Sequence, residues 1–387
     1  MSTTTTLRPS EIAVITSGRL ASTTAFRIVY PLLPFLSQTF ATSLQQVATL
    51  VAIQTAASLI SPVGGRLAER FGEKNIMIAG LLLFIAGGAL CAIADLFFLF
   101  QIGYLCIGLG TALYLPSGQS YLSARSEYSQ RGRILGIFEI AWAISAIIGV
   151  APLMYLIDMQ DSIRMAYLII IAIGAVNVIL LSRLPASPVH ATTQSTPLSF
   201  RDIVRQPAVW ILLCFPFLTF GGNDLFFVTQ SQWLADAIRA DESMLGTLFV
   251  GIGIAELLGS SAVVAFSDHI GKRRSVIIGF VVTSVLLVAM AFTSNWWLLM
   301  VEIFLFYLII EYAIVASFPL ISEAMPHARA TIMSLMSAAV GVGRIFSSLG
   351  SAWLYTTGGM YLIATTAAVC SCLGLVALAR SSLTPKS

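Results

Sequence analysis

The sequence predicts an all-α membrane protein with twelve transmembrane helices in two similar six-helix halves. Three observations carry that expectation. Of 387 residues, 57% are hydrophobic and 10% are charged, against roughly 25% charged in a soluble domain. The apolar residues form twelve runs, each near the about 20 residues that a helix needs to cross a hydrocarbon core of about 30 Å. The basic residues gather on one side of those runs. With a mean hydropathy of +0.90, a disordered chain and an ordinary soluble enzyme are excluded. The net charge of +3 and the lack of a long basic run argue against nucleic acid as a partner.

The predicted spans, in order, are 11–37, 43–68, 75–94, 97–123, 132–157, 163–183, 207–235, 244–267, 275–293, 295–323, 329–355 and 359–379. Short polar or Gly/Pro connectors separate them. The stretch from Leu184 to Arg205 is longer and carries Pro185, Pro188 and Pro197, which marks a linker. This divides the chain into an N-terminal six-helix bundle (1–184), a linker (185–205) and a C-terminal bundle (206–387). With the N-terminus placed in the cytoplasm, 16 of the 21 Lys and Arg fall on the inner side. Only Arg164 and Arg239 fall outside, and Arg19, Arg27 and Arg344 lie within spans. That bias sets both termini in the cytoplasm. The first ten residues are polar, so no cleavable signal peptide is expected. The compact chain points to the inner (plasma) membrane of a bacterium or archaeon.

An internal repeat accounts for the two halves. Gly65-Arg66-Leu67-Ala68-Glu69-Arg70-Phe71-Gly72-Glu73-Lys74 follows the second span, and Val264-Ala265-Phe266-Ser267-Asp268-His269-Ile270-Gly271-Lys272-Arg273-Arg274 follows the eighth. Glu69 matches Asp268 and Gly72 matches Gly271, at an offset of 199. Ser126-Glu127 before Arg133 and Ser322-Glu323 before Arg329 repeat at an offset of 196. In such a tight turn, Gly72 and Gly271 permit positive φ at the helix end. The acid faces a neighbouring helix N-terminus or Arg, and the basic residues face headgroups.

With these loops the chain resembles the major facilitator superfamily of secondary transporters, over about residues 11–380. The 65–74 segment is similar to that family's signature loop between helices two and three, and 264–274 to its weaker second copy. The resemblance implies two six-helix bundles related by a pseudo-two-fold axis, rocking about a central site. It makes Gly65, Glu69, Arg70, Gly72, Asp268, Gly271 and Arg273 a gating pair of loops. The chain departs from the family pattern in four places. Glu69 stands for the usual Asp and Glu73 for a usual basic residue. Tyr104 stands where proton-driven exporters carry an Arg in span four. The antiporter signature of span five is reduced to Gly149, Ala151 and Pro152.

Charge inside a membrane is costly and marks function. The intramembrane charges are Arg27, Glu139, Asp224, Glu256, Glu302, Glu311 and Arg344. None falls on spans three, six, nine or twelve, which the resemblance makes peripheral. Six of them are candidates for substrate contact or proton coupling: Arg27, Glu139, Asp224, Glu256, Glu311 and Arg344. Arg27 and Asp224 stand at an offset of 197 and are expected to approach each other in one transport state. Arg344 is expected to pair with Glu256 or Glu311. Arg19, near the start of span one, is expected to snorkel. Gln54, Tyr104, Tyr114, Gln119, Asn223, Phe226, Gln230, Tyr307 and Tyr312 lie on the same spans and can shape the site.

No G-x-x-x-x-G-K-[ST] loop occurs, which excludes an ATP-driven pump. His190, His269 and His327 fall in connectors, and the charges within spans are dispersed, so neither an enzyme, a metal site nor a cofactor is expected. The five cysteines lie in apolar runs and read as small packing residues. The expectation is a monomeric secondary transporter of a small organic or amphipathic solute, exporting in exchange for protons. Proton symport, facilitated movement of a lipid-like substrate and a non-transporting sensor of the same fold stand as alternatives.

Overall fold

The structure, a computed structural model, describes residues 7–126, 128–185, 203–325 and 329–381. The side chains of Arg66, Glu69 and Asp268, all of Glu127 and most of the linker lie outside the described residues. Every regular element among the described residues is a helix. Nine of them are long and apolar enough to cross a membrane by length and composition. The difference from twelve has three local causes.

Span one is two helices, Pro9–Arg27 and Val29–Thr39, meeting at Ile28. Pro31, which has no N–H to give, stands in the first turn of the second. Span two is Leu44–Ser58 and Ser61–Phe71, broken at Leu59–Ile60 immediately before Pro62. Spans eleven and twelve run together as Arg329–Arg380 and divide at Gly359, where φ is 59°. The other spans are Glu73–Ala92, Phe97–Arg125, a composite fifth, Arg164–Ser182, Pro207–Ile238, Glu242–Ile270, Lys272–Met290 and Trp296–Ala324. The fifth joins Tyr128–Ile144 to Ala151–Gln160 through a π turn, Ser145–Val150. The turn lies just before Pro152, inside the reduced antiporter signature.

Local chemistry sets the ends. Ser43 accepts from the Gln46 amide and Asn295 from the Leu298 amide, each closing a helix N-terminus. Gly72 and Gly271 take φ of 85° and 91°, a region closed to other residues at low cost. Thus two helices meet at each of these points with a one-residue turn.

The chain divides into two compact units. The first is Met1–Thr193 with Asp241–Val250; the second is Gln194–Ala240 with Gly251–Ser387. In the first unit, spans three and four pack backbone to backbone. A Cβ added at Gly87 would stand 2.5 Å from the Gly103 carbonyl, and one at Gly80 would stand 2.7 Å from that of Gly110. The start of span eight also belongs here. Gly246 lies against Ala151 and Met154, and the Tyr155 hydroxyl shares a hydrogen bond with Thr247. In the second unit spans seven and eleven also pack backbone to backbone. A Cβ at Gly221 would stand 3.0 Å from Gly343.

Candidate transport site

Span seven carries Gly221-Gly222-Asn223-Asp224 at its middle, and all four residues are buried. The two glycines let neighbours close in: Gly343 of span eleven on Gly221, and Cys370 of span twelve on Gly222. That approach brings Arg344 to Asp224, its Nε donating to Oδ1 at 3.0 Å. The Asp224 side chain is 1% exposed and that of Arg344 23%. Asp224 Oδ2 is buried with no hydrogen-bond partner among the described residues. Ser347, one turn beyond Arg344, donates to the Gly221 carbonyl. Asn223 faces span twelve, donating to Ser371 Oγ at 3.2 Å. Asp224 is thus a partner of Arg344 that was not expected from the sequence. Glu311 accepts from Ser260 Oγ at 2.9 Å, and Glu256 is buried in span eight. The glycine contact between spans seven and eleven is what brings Asp224 within reach.

Further along span seven, Gln230 accepts from the Tyr307 hydroxyl at 2.8 Å. Tyr307 stacks on Phe227 with ring centroids 5.5 Å apart, and Phe226 meets Phe306 edge-on at 4.9 Å. On span ten, one turn before Phe306, Glu302 has Oε2 buried with no hydrogen-bond partner among the described residues.

In the first half, span one is gripped just before its break. The Tyr104 hydroxyl donates to the Ala25 carbonyl at 2.8 Å, and Gln54 Nε2 donates to the Phe26 carbonyl at 3.2 Å. Arg27 lies buried beside the same point. Its guanidinium stands 4.7 Å over the Trp142 ring and Nη1 donates to the Trp142 carbonyl at 2.9 Å. Its described partners thus lie on span five, within its own half. Where the exporter signature is reduced, Gly149 meets Thr24 of span one directly. An apolar cavity of about 310 Å³ opens beside this contact, lined by Leu20, Ile148, Pro152, Ile170 and Ile173 with Thr24 as its polar edge.

Arg19 was not among the candidate residues, and the structure places it at a centre of its own. It does not snorkel. It is buried, and Nη2 donates to Glu139 Oε2 at 2.5 Å, while Gln119 Nε2 donates to Glu139 Oε1 at 2.9 Å. The signal in the sequence was the acid itself: an intramembrane Glu139 on span five needs a cation, and Arg19 is at the matching depth on span one.

The loops differ from expectation as well. Lys74 does not reach for headgroups. Its Nζ donates to the carbonyls of Ser182 at 2.8 Å and Leu184 at 2.5 Å, capping span six. Arg273 does the same for span twelve, at the Ala379 carbonyl, 3.2 Å. Unsatisfied carbonyls and the negative helix end explain both choices. Glu73, where the family has a basic residue, is buried and accepts from Ser120 Oγ at 3.1 Å. Its counterpart Lys272 pairs with Glu323 at 2.5 Å. Gly65 has open space around its Cβ position, and Arg70 is exposed, its guanidinium 5.2 Å over the Phe71 ring. Among the described residues no group of His, Cys, Asp and Glu is placed to hold a metal.

Comparison with known proteins fits this architecture. The chain is 24% identical over 378 residues to YwfA, an MFS-type transporter of Bacillus subtilis, covering 94% of this chain and 89% of that one. It is 33% identical over 184 residues to the methylenomycin A resistance protein of the same organism, covering 46% of this chain and 39% of that one. Among solved structures, a D-xylose-proton symporter superposes with a TM-score of 0.79 at 17% identity, over 97% of this chain and 98% of that one. The sequence profile of the Major Facilitator Superfamily matches twice, at residues 15–229 and 212–387. Those matches take in both glycine turns and every buried charge described above: the chain belongs to the major facilitator superfamily.

Proposed function

We propose that this chain exports a small organic or amphipathic solute in exchange for protons, by alternating access of a monomer in the bacterial inner membrane, both termini cytoplasmic. The observation that carries the reading is Asp224. One of its oxygens is held by Arg344, and the other is buried with no donor among the described residues. A carboxylate so placed accepts a proton at the unused oxygen and then has no charge to offer a guanidinium. Protonation therefore loosens span eleven from span seven, at the point where their backbones touch. A change of partner between states is how one buried carboxylate couples a proton to a helix movement. Glu256 and Glu311 lie on the neighbouring spans and extend the path. Arg27 and Glu139 provide charged contacts in the first half, and the glycine turns at Gly72 and Gly271 serve as the gating loops. The bundles are assigned to 1–184 and 206–387, with 185–205 as the linker. A relative named for drug resistance supports the outward direction.

The test is charge movement on a solid-supported membrane. Proteoliposomes meet a panel of organic cations, anions, sugars and amphiphiles, with and without a pH gradient, in parallel with uptake of labelled solute. The expected result is transport of one class whose rate follows the gradient, with that dependence lost in Asp224→Asn. A gradient dependence equal in wild type and Asp224→Asn removes the coupling role.

A further inference from the structure

Span one buries a second guanidinium that the proton-coupling scheme does not use. Arg19 has its head 4.5 Å over the Phe138 ring, which fixes its plane. Its described ion pair uses a single donor, Nη2 on Glu139 Oε2. Nε is buried and has no hydrogen-bond partner among the described residues. A guanidinium binds an oxyanion best through two parallel N–H donors. Glu139 therefore fills this site incompletely.

Glu139 is also built to leave. Its side chain is 50% exposed against 7% for Arg19, so it moves off without losing a buried environment. Gln119 holds the second oxygen and can keep it as the first lets go. Gly136 lies one turn before Glu139, and Ile140, the residue after Glu139, stands one turn beyond Gly136 on the Gly136 face. Nothing stands within 4 Å of the Gly136 Cβ position, and Ile140 is exposed. Among the described residues, the space beside Gly136 is open.

We propose that Arg19 is the recognition site for the oxyanion of an organic anion, a carboxylate or sulfonate on an apolar body, which displaces Glu139 and takes the Nε–Nη2 edge. The apolar body lies over Gly136 and Ile140. Glu139 is then a built-in competitor that covers the guanidinium when no solute is bound. This deepens the transporter reading by naming its substrate class, and rests on it only in taking this opening as a solute site.

The experiment is equilibrium binding to the purified full chain in a neutral maltoside, with no gradient, so that failure of the anion site and failure of proton coupling are read separately. The probes are naphthalene-2-sulfonate and benzoate, with tetraphenylphosphonium as the cation arm. Removing the competitor in Glu139→Gln is expected to tighten sulfonate binding roughly tenfold. Arg19→Gln is expected to abolish it, and Arg19→Lys, which keeps the charge without the fork, to weaken it roughly tenfold. A purely structural ion pair predicts the reverse for Glu139→Gln, a loss of binding along with stability. Gel filtration and thermal melting check the fold of each variant. If Arg19→Gln does not fold, Arg19→Lys decides. The proposal is overturned if Glu139→Gln binds the sulfonate no better than wild type, if Arg19→Lys binds it as well as wild type, or if tetraphenylphosphonium binds wild type and is lost in Glu139→Gln.

Discussion

The two halves are each tied by an ion pair between their first and fifth helices, and in both the partners are 120 residues apart. The polarity is reversed. In the first half the cation, Arg19, is on the first helix and the anion, Glu139, on the fifth; in the second half Asp224 is on the seventh and Arg344 on the eleventh. In both, the member on the leading helix is the more deeply buried one. One half therefore hides a cation behind an accessible acid, and the other hides an acid behind a more accessible cation. The first arrangement suits holding an anion, the second holding a proton. By the repeat offset of 197 the two pairs are out of register by eight residues, about two turns, so each half ties its first helix to its fifth at a different level, with opposite chemistry at the buried end.

The largest effect is expected from breaking the second pair at its buried end. Asp224→Ala removes the buried member of this ion pair and its tie between the two helices, which costs roughly 3–5 kcal/mol. Adding Arg344→Leu should recover most of that, read by denaturant unfolding of the purified protein in mixed micelles. If the double variant is as unstable as the single one, the pair is not what ties these helices.

Gly343→Leu comes next. Its added atoms meet the Phe217 carbonyl and the Gly221 backbone, and forced overpacking costs roughly 1–3 kcal/mol. Gly136→Leu, placed in open space, should leave the unfolding midpoint where it is. Equal losses in the two would show that the close backbone contact at Gly343 is not the source of the cost.

Arg19→Met, the matching removal in the first half, is expected to cost about 1 kcal/mol or less. It leaves Glu139 half in the open and still held by Gln119, and an accessible charge needs little compensation. A loss as large as that of Asp224→Ala would erase the contrast between the halves.

The smallest effects are at the caps. Lys74→Gln and Arg273→Gln should each cost about 0.3–1 kcal/mol, with Lys74 the larger because it serves two carbonyls and Arg273 one. Hydrogen exchange at the ends of spans six and twelve would show the loss locally. Unchanged exchange at both ends would return the two cations to a headgroup role.

Apolar run length and the offsets between repeated residues were enough to find the spans, the two halves and the glycine turns. These depend on chemistry within a few residues of each other. Partner choice was less legible. Glu256, Glu311 and Asp224 were all acids at suitable depth, and the Gly221–Gly343 contact that brings Asp224 to Arg344 has no local signature in the sequence. Arg19 looked like a snorkelling residue because position along a helix was read without its neighbours; Glu139 and Phe138 on another helix hold it in place. The breaks in spans one and two were signalled by Pro31 and Pro62, but hydropathy alone passes over them. Lys74 and Arg273 lie more than a hundred residues from the carbonyls they cap, beyond the reach of any local pattern.

The π turn at Ser145–Val150 carries a consequence for how this chain can change over generations. A π turn holds one residue more than an α turn, and one residue is about 100° of rotation on a helix. Glu139 lies before the turn, and Leu153 and Leu156 lie beyond it. Losing one residue within Ser145–Val150 can be absorbed by rewinding to an α turn, leaving both flanking faces aimed as they are now. A deletion elsewhere between Glu139 and Leu153 would swing Glu139 away from Arg19 or Leu153 and Leu156 away from span one. Span five thus tolerates a change of length at one address, beside Thr24, and a naturally shortened relative should be short there.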